Sequence, residues 1–195
     1  MNAKRGVSAY ALIATGLIVI ATIGWFFFSY NRLVHKEEAV KAAWSQVESN
    51  LQRKLDLLPN LVKVVKRYAA HEEKVLGEIT ALRSGVAQAL GKSDDPAKIS
   101  ALNKRLDGAL GAFMLRVENY PELKSSEEFL QLQSQIEGAE NRINITRMQF
   151  NEAVRDYNAY LRTIPANIVA SIAHFSPKAY FKADKAAHRK MEIDL

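Results

Sequence analysis

The chain begins with a long apolar run and then changes to a helical pattern of apolar positions. From Gly6 to Tyr30 there is no Asp, Glu, Lys, Arg or His. A helix over this run would be about 37 Å long at roughly 1.5 Å per residue, enough to cross a hydrocarbon core of about 30 Å. Basic residues flank the run on both sides: Lys4, Arg5, Arg32 and Lys36. The pattern predicts one transmembrane helix.

A cleaved signal peptide is the alternative interpretation of the same run. Such a peptide has an apolar region of only about 7–15 residues and ends in a site of small residues. This run is longer, and aromatic residues from Trp25 to Tyr30 occupy its second end. Aromatic rings of this kind prefer the headgroup layer of a bilayer. We therefore expect a retained anchor, with Trp25 and Tyr30 at the membrane interface.

After Tyr30 the apolar residues recur at alternating steps of three and four, which is typical of one face of an amphipathic helix. The stripe contains Val40, Trp44, Val47, Leu51, Leu55, Leu58, Val62, Val65, Ala69, Leu76, Ile79, Val86 and Leu90. Pro59 interrupts it, because a proline removes one helical hydrogen bond and clashes one turn back. The unbroken phase favours a kink there, whereas matching the lengths of the helices favours a break. We expect a break.

Two further helices follow. Residues 91–96 form a loop in which Asp95 can cap the next helix and Pro96 can take its first turn. Ser125 and Glu128 have the spacing of a capping box before the last long helix. Pro165 ends that helix. The expected fold is all-α: an N-terminal transmembrane helix followed by an elongated antiparallel helix bundle, with four helices preferred.

Three segments are expected: a stub and anchor over residues 1–30, a helical bundle over 31–165, and an amphipathic basic and aromatic tail over 166–195. The tail brings several aromatic and lysine side chains together: Phe175, Lys178, Tyr180, Phe181 and Lys182. Such side chains can rest in a membrane interface. The alternative is a frayed polar terminus whose apolar residues only cover the base of the bundle. The sequence favours both interpretations equally.

Composition narrows the class of protein. The 195 residues carry a formal charge of +6, whereas a dedicated nucleic-acid binder usually has a stronger, clustered basic patch. This mild excess of positive charge suits anionic lipid better. We therefore expect a lipid bilayer and no nucleic acid as partner. There is no cysteine, which excludes disulfides and thiolate metal sites.

Several runs of residues together resemble the LemA family. They are Tyr30 to Val34, Ala43 to Ser45, Asp56 to Val62, Glu118 to Pro121, Glu140 to Ile143, Phe150–Asn151, Tyr157–Asn158 and Pro165 to Asn167. The resemblance covers residues 30–170 in order. It implies a bacterial single-pass membrane protein with a helical bundle and no established enzymatic activity. It also implies links to membrane remodelling and to membrane-protein quality control. Leu58 replaces the usual Ile, and Arg67 replaces a usual small residue.

No catalytic set is visible in the sequence. His71 lies beside Glu72, but a zinc-protease helix needs a second histidine at position 75, which is Val. A carboxylate-bridged metal pair requires a histidine within one turn of its glutamates. Glu137 and Glu140 have no such histidine. Neither a hydrolytic triad nor a glycine-rich phosphate loop is present. We therefore expect no enzyme, no metal, no cofactor and no small-molecule substrate.

Charged residues in or near the apolar stripes are the candidate site residues, because a charge at a core position must be paired or must reach solvent. With the proline they are Asp56, Pro59, Glu72, Arg83, Glu140 and Arg147. One interpretation is that long side chains reach water at the edges of the bundle. The other is that they fix helix register or bind a neighbouring subunit. The acids Glu137 and Glu140 are expected to pair with Arg142, Arg147 or Arg83.

Two functional hypotheses remain. The first is a non-enzymatic, membrane-anchored protein that forms homo-oligomers and binds or remodels membranes. The second is an adaptor or accessory subunit of a protease or other envelope machine, with a membrane protein as partner. We expect a single-pass protein of the bacterial cytoplasmic membrane. Because basic residues flank the anchor almost equally, its orientation is weakly determined, and an extracytoplasmic bundle is preferred.

Overall fold

The computed structural model describes residues 3–92 and 95–181, and all of the regular structure in these ranges is helical. The long helices are α1 (Ala3–Tyr68), α2 (Glu73–Gly91), α3 (Pro96–Val117) and α5 (Glu127–Leu161). Two short helices, α4 (Pro121–Lys124) and α6 (Ala166–Ile172), complete them. A 3-10 turn, Ala70–Glu72, separates α1 from α2. The expected all-α fold is confirmed.

The expected break at Pro59 is wrong, because α1 runs through this proline and ends only at Tyr68. Proline has no N–H to donate to the carbonyl four residues earlier, which here belongs to Leu55. The side chain of Arg83 on α2 replaces the missing donor: its Nε donates to the Leu55 carbonyl at 2.8 Å. Pro59 itself is exposed, so its ring lies outside the packed core. The helix therefore continues with its hydrogen bonding restored from a neighbouring helix.

The contacts divide the chain into two compact units. Of the described residues, the first contains 3–41 and 153–178, and the second contains 42–92, 95–152 and 179–181. Both α1 and α5 contribute residues to each unit. The boundaries expected at residues 30 and 165 stay predictions, because these units group packing contacts and do not report where lipid ends.

The second unit is a helix bundle formed by the end of α1, by α2, α3 and α4, and by the start of α5. Four long helices contribute to it, as expected. The chain leaves the first of them at Ala69, however, and not at Pro59. Its core follows the predicted stripes and includes Leu55, Leu58, Val65, Leu76, Ile79, Val86, Leu106, Phe113, Val117, Phe129 and Ile136. Burial of these side chains at roughly 25 cal/mol per Å2 of apolar surface is the main force that holds the helices together.

The first unit combines the start of α1, the end of α5, and α6. Its buried residues include Leu33 and Val40 on α1, Tyr157 on α5, and Val169 on α6. The apolar part of α1 is different. Its most apolar window has a mean hydropathy of 2.2, and none of that window is buried. Among the described residues, α1 is the one helix long and apolar enough to cross a membrane, in agreement with the expected transmembrane helix.

The helix ends agree only in part with the expected caps. The carboxylate of Asp95 accepts a hydrogen bond from the Ala97 N–H at 3.0 Å, as predicted for the start of α3. The capping box at Ser125 is wrong, because the Ser125 hydroxyl donates back to the Pro121 carbonyl at 2.9 Å. It therefore closes α4, and α5 begins at Glu127 without it.

Candidate functional site

Glu72 anchors the turn between α1 and α2. It lies in the 3-10 turn with a side chain only 13% exposed. Arg116 donates from Nη1 to one carboxylate oxygen at 3.1 Å, and the Tyr120 hydroxyl donates to the other at 3.0 Å. The hydrogen bond to Glu72, followed by burial, raises the pKa of Tyr120 above its ordinary value. The arrangement ties the turn to the end of α3, and a role of these charges in fixing helix register stays a prediction.

A buried lysine is the centre of a second polar cluster, which we call the Lys54 cluster: Lys54, Asn103, Asp107, Glu140 and Arg147. The side chain of Lys54 is 0% exposed, and its ammonium contacts the carboxylate of Asp107 and lies 3.2 Å from that of Glu140. Water reaches both carboxylates, which are 42% and 41% exposed. Lys54 on α1 is thus held between α3 and α5.

The other members of the Lys54 cluster complete its polar surroundings. The Asn103 amide donates to Asp107 at 3.0 Å, and its own oxygen has no hydrogen-bond partner among the described residues. A cavity of about 70 Å3 lies beside these groups, with Arg147 in its lining. The expected pairing of Glu140 with an arginine is wrong, because its partner is Lys54.

The sequence did carry a signal for Lys54. Steps of four and three lead from Val47 through Leu51 to Lys54, and onward to Leu58 and Leu61. Lys54 therefore occupies a core position of the heptad pattern. A lysine at such a position was not expected to be buried, because lysine is almost never fully buried unless it is paired. Its partners lie on other helices, and the pattern of α1 alone does not reveal them.

Asp56 and Pro59 are not part of either cluster. The Asp56 carboxylate is exposed and accepts a hydrogen bond from Gln52 one turn earlier, at 2.8 Å. Pro59 is linked to Arg83 only through the Leu55 carbonyl. Of the six candidates, Glu72, Arg83 and Glu140 thus bind other helices directly, and Arg147 lies at a shared cavity.

Phe181 forms part of an aromatic pocket in the second unit. It is 2% exposed, and its ring centroid lies 5.9 Å from that of Trp44, which in turn lies 5.0 Å from Phe150. The Asn151 side chain holds the backbone of Phe181 by two hydrogen bonds of 2.9 Å. Its Oδ1 accepts from the Phe181 N–H, and its Nδ2 donates to the Phe181 carbonyl. The expected membrane-interface role of Phe181 does not fit this position, because its ring is covered by protein.

The other expected interface residues have varied surroundings. In the first unit, Trp25 is half-buried, Tyr30 is exposed and stacks edge-on with Phe175 at 5.8 Å, and the Lys178 ammonium binds Glu37 at 2.6 Å. Tyr180, in the second unit, is exposed. Lys182 lies outside the described residues. Their contact with lipid stays a prediction.

Two side chains on α5 hold the part of the tail that follows α6 in the first unit. The Asn158 amide pairs with both backbone groups of Lys178, each at 2.9 Å. The Tyr157 hydroxyl donates to the Ser176 carbonyl at 3.1 Å. These contacts were not expected, because the segment they hold has no regular secondary structure and therefore no periodic pattern.

The charged clusters pair cations with carboxylates and hold helices together. Within residues 3–92 and 95–181, no group of three or more His, Cys, Asp or Glu side chains could hold a metal ion. The absence of a metal or cofactor stays a prediction for the chain as a whole.

Comparison with known proteins agrees with a helical bundle that follows an apolar helix in the chain. The family model of the LemA family matches residues 43–195. The chain belongs to the LemA family. It is similar to the protein LemA of Metamycoplasma hominis, with 27% identity over 91% of this chain and 81% of that protein. LemA-family membership was expected from the sequence and is confirmed.

Two further relatives carry a different name. The magnetosome protein MamQ 2 of Paramagnetospirillum magneticum is 26% identical over 93% of this chain and 75% of its own length. The magnetosome protein MamQ of Magnetospirillum gryphiswaldense is 25% identical over 91% of this chain and 73% of its own length. With the apolar α1, these LemA-family likenesses identify a membrane-associated helical protein.

Proposed function

We propose that this LemA-family protein is a non-enzymatic, single-pass membrane protein that acts by self-association and by binding membranes or partner proteins, with membrane remodelling as the outcome. The observation that carries the proposal is the exposure of the apolar part of α1. None of its most apolar window is buried by the protein. Apolar surface of that extent is stable in lipid and unstable in water.

Exposed apolar side chains of the second unit support self-association. Ile145 and Met148 on α5 are 52% and 64% exposed, and they share one helix face because they are three residues apart. Leu130 on the same helix and Leu115 on α3 are also exposed. Single exposed apolar residues are ordinary, but a neighbouring pair on a long helix offers a surface to a second copy.

The mass of the purified protein tests this proposal. The full chain is extracted from membranes in mild detergent, and its mass without detergent is measured by light scattering. We expect a mass several times 21.8 kDa, the mass of one chain. A monomer would contradict self-association. A stoichiometric protein that co-purifies from native membranes would instead support the adaptor function.

A matched pair of variants locates the contact. Ile145→Lys/Met148→Lys places two charges on the proposed face and should reduce the mass to that of one chain, since a buried unpaired charge is costly. The control, Gln46→Lys/Ser49→Lys, adds the same charge at two exposed polar positions, also three residues apart, on α1 and should leave the mass unchanged. If the two variants have the same mass, the exposed face of α5 is not the surface of self-association.

The orientation is also part of the proposal. We place the amino terminus in the cytoplasm and the helical bundle outside it, because long domains cross the membrane largely regardless of charge. A reporter fused after Leu195 and read on both sides of the cytoplasmic membrane tests this orientation. Cytoplasmic activity of the reporter would reverse it.

A further inference from the structure

A cleft lies on one face of α1, close to the aromatic end of the predicted anchor. Its volume is about 500 Å3. Six residues line it, at helical steps of three and four: Phe28, Asn31, Arg32, His35, Lys36 and Ala39. All belong to the first unit. Three of these side chains are basic and none is acidic, so the lining is positively charged or neutral.

The two strong cations of the cleft share an aromatic ring and have no carboxylate partner among the described residues. The Arg32 guanidinium lies 5.0 Å from the centroid of the Tyr160 ring, and the Lys36 ammonium lies 5.9 Å from it. Within the described residues, neither cation has a carboxylate in ion-pair range. A cation over a ring keeps its positive charge, and the contact itself is worth only about 0.5–1 kcal/mol at an exposed position. Both groups therefore remain available to an anion.

The nearest acids on α1 are already occupied. Glu37 binds the Lys178 ammonium at 2.6 Å, and Glu38 binds the Lys41 ammonium at 2.7 Å. Neither acid lines the cleft. The charge of Arg32 and Lys36 is thus not neutralised by the acids beside them in the sequence.

The cleft also has an apolar end. Phe28 lies one helical turn before Arg32, on the side of the anchor, and its ring is 63% exposed. One turn rises about 5.4 Å, which is comparable to the headgroup layer of roughly 5–7 Å on each side of the hydrocarbon core. A ligand that fills the cleft must therefore present an anion to the two cations and an apolar chain to Phe28. Free phosphate meets only the first requirement.

We propose that this cleft binds an anionic phospholipid, with the phosphate between Arg32 and Lys36, the headgroup hydroxyls near Asn31 and His35, and an acyl chain along Phe28. The inference rests on the membrane anchoring proposed above and adds the class of lipid and its binding residues. Tyr160 acts as a positioning residue, because its ring holds both cations toward one ligand.

Quenching of tryptophan fluorescence by brominated lipids tests the proposal. Trp25 lies three residues before Phe28 and seven before Arg32, which places it on the same helix face. The full chain is reconstituted into vesicles of phosphatidylglycerol and phosphatidylcholine in equal amounts, with bromine on one lipid or the other. Trp44 is present in every sample and contributes the same background.

The expected result is stronger quenching by brominated phosphatidylglycerol than by brominated phosphatidylcholine. The local enrichment should be about fivefold for each of the two cations, the amount expected for a basic residue near an anionic surface. Arg32→Gln/Lys36→Gln should reduce the ratio of the two quenching efficiencies to near one. Arg32→Lys/Lys36→Arg keeps both charges and should keep most of the enrichment.

Arg53→Gln/Lys63→Gln is the matched control, because it removes two positive charges from exposed positions of α1 outside the cleft. It should quench like the unaltered chain. Equal quenching by the two brominated lipids in the unaltered chain would overturn the inference, and so would the same loss in the control. Reversal of the enrichment by millimolar inorganic phosphate at constant ionic strength would assign the cleft to a soluble phosphate and overturn the lipid assignment.

A carbonate wash distinguishes failure of the membrane anchor from failure of the phospholipid site. Vesicles washed with alkaline carbonate before the measurement should retain the chain. Loss of the chain in that wash would reject the membrane anchor, whereas retention without lipid selectivity would reject only the phospholipid site.

Discussion

The Nε atom of Arg83 donates a hydrogen bond to the Leu55 carbonyl at 2.8 Å, and this is the carbonyl that Pro59 leaves without a helical donor. A side chain from α2 thereby repairs the one gap that the proline makes in α1. Leu55 is fully buried, so its carbonyl has little access to water as a substitute. The pair also links α2 to one position along α1, because this hydrogen bond joins one residue of each helix.

We expect Arg83→Leu to lower the free energy of unfolding by about 1–3 kcal/mol, the cost of a buried polar group without a partner. In a Pro59→Ala background the new N–H can bond to the Leu55 carbonyl, so the same substitution should cost about 1 kcal/mol less. Urea unfolding of the four chains in detergent, followed by circular dichroism, measures the coupling.

Arg105→Leu is the control for the loss of an arginine, because Arg105 is exposed on α3. It should change stability by less than about 0.5 kcal/mol. Unchanged stability and unchanged assembly in Arg83→Leu would contradict the register interpretation. An equal cost of Arg83→Leu with and without the proline would show that the two residues act independently.

The Lys54 cluster should respond unequally to loss of the cation and loss of the acids. Asp107→Ala/Glu140→Ala leaves the buried ammonium unpaired and should cost about 3 kcal/mol, the lower end of the range for a broken buried pair, because water reaches the site of the acids. Lys54→Met removes the buried charge, and both carboxylates can then turn to water. We expect it to cost about 1 kcal/mol or less.

The triple variant Lys54→Met/Asp107→Ala/Glu140→Ala gives the decisive comparison. It should be more stable than the double acid variant, although it lacks one more native side chain. Urea midpoints of the three chains, measured under identical conditions, provide the order. A triple variant that is no more stable than the double variant would mean that Lys54 is not a charged, unpaired group when its acids are absent.

The Asn151 amide should determine whether Phe181 stays in its pocket. Asn151→Ala leaves the N–H and the carbonyl of Phe181 without their partners, at a cost of about 1–3 kcal/mol. Because the Phe181 ring packs against Trp44, its release should expose the indole to water and shift the tryptophan emission to longer wavelength. Phe181→Ala should produce the same shift.

The control for the loss of an asparagine is Asn141→Ala, at an exposed position on the same helix. It should leave the emission and the melting temperature unchanged. Trp25 is common to all of the variants, so it cancels in the difference spectra. An unaltered emission in Asn151→Ala would show that ring packing alone holds Phe181.

The periodic part of this structure was predictable from the sequence, because burial of apolar side chains follows helical spacing. The stripes on α1, α3 and α5 therefore identified most of the core correctly. Pro59 shows the limit of local rules: proline does remove a donor from α1, but the replacement donor lies 28 residues away from the carbonyl that it serves. The spacing of apolar residues does not predict a contact between residues so far apart in the chain.

The polar contacts were less predictable for the same reason. Lys54 meets Asp107 across 53 residues, and Asn151 meets Phe181 across 30. Each depends on side chains that different elements bring together after the helices have packed. Asn151 and Asn158 both lie within the runs that resemble the LemA family, yet the resemblance alone gave them no role. Their role follows from the irregular segments whose backbone groups they satisfy.

Tyr157 should make the stability of the protein depend on pH in the alkaline range. Its side chain is fully buried, and burial, with a smaller contribution from Glu37, raises the pKa of its hydroxyl from 10.0 to about 12. At neutral pH the tyrosine is uncharged in both the folded and the unfolded chain. As the pH rises from 10 to 12, the unfolded chain releases this proton first, so the free energy of unfolding should fall.

Tyr157→Phe should flatten that alkaline decline, although loss of the hydrogen bond to Ser176 should cost about 1 kcal/mol at neutral pH. The measurement combines melting temperatures across the alkaline range with the ultraviolet absorbance of tyrosinate, in which this variant should lack the latest ionisation. Tyr68→Phe, at an exposed tyrosine, is the control. If both variants lose stability between pH 10 and 12 as steeply as the unaltered chain, the buried hydroxyl is not the group responsible.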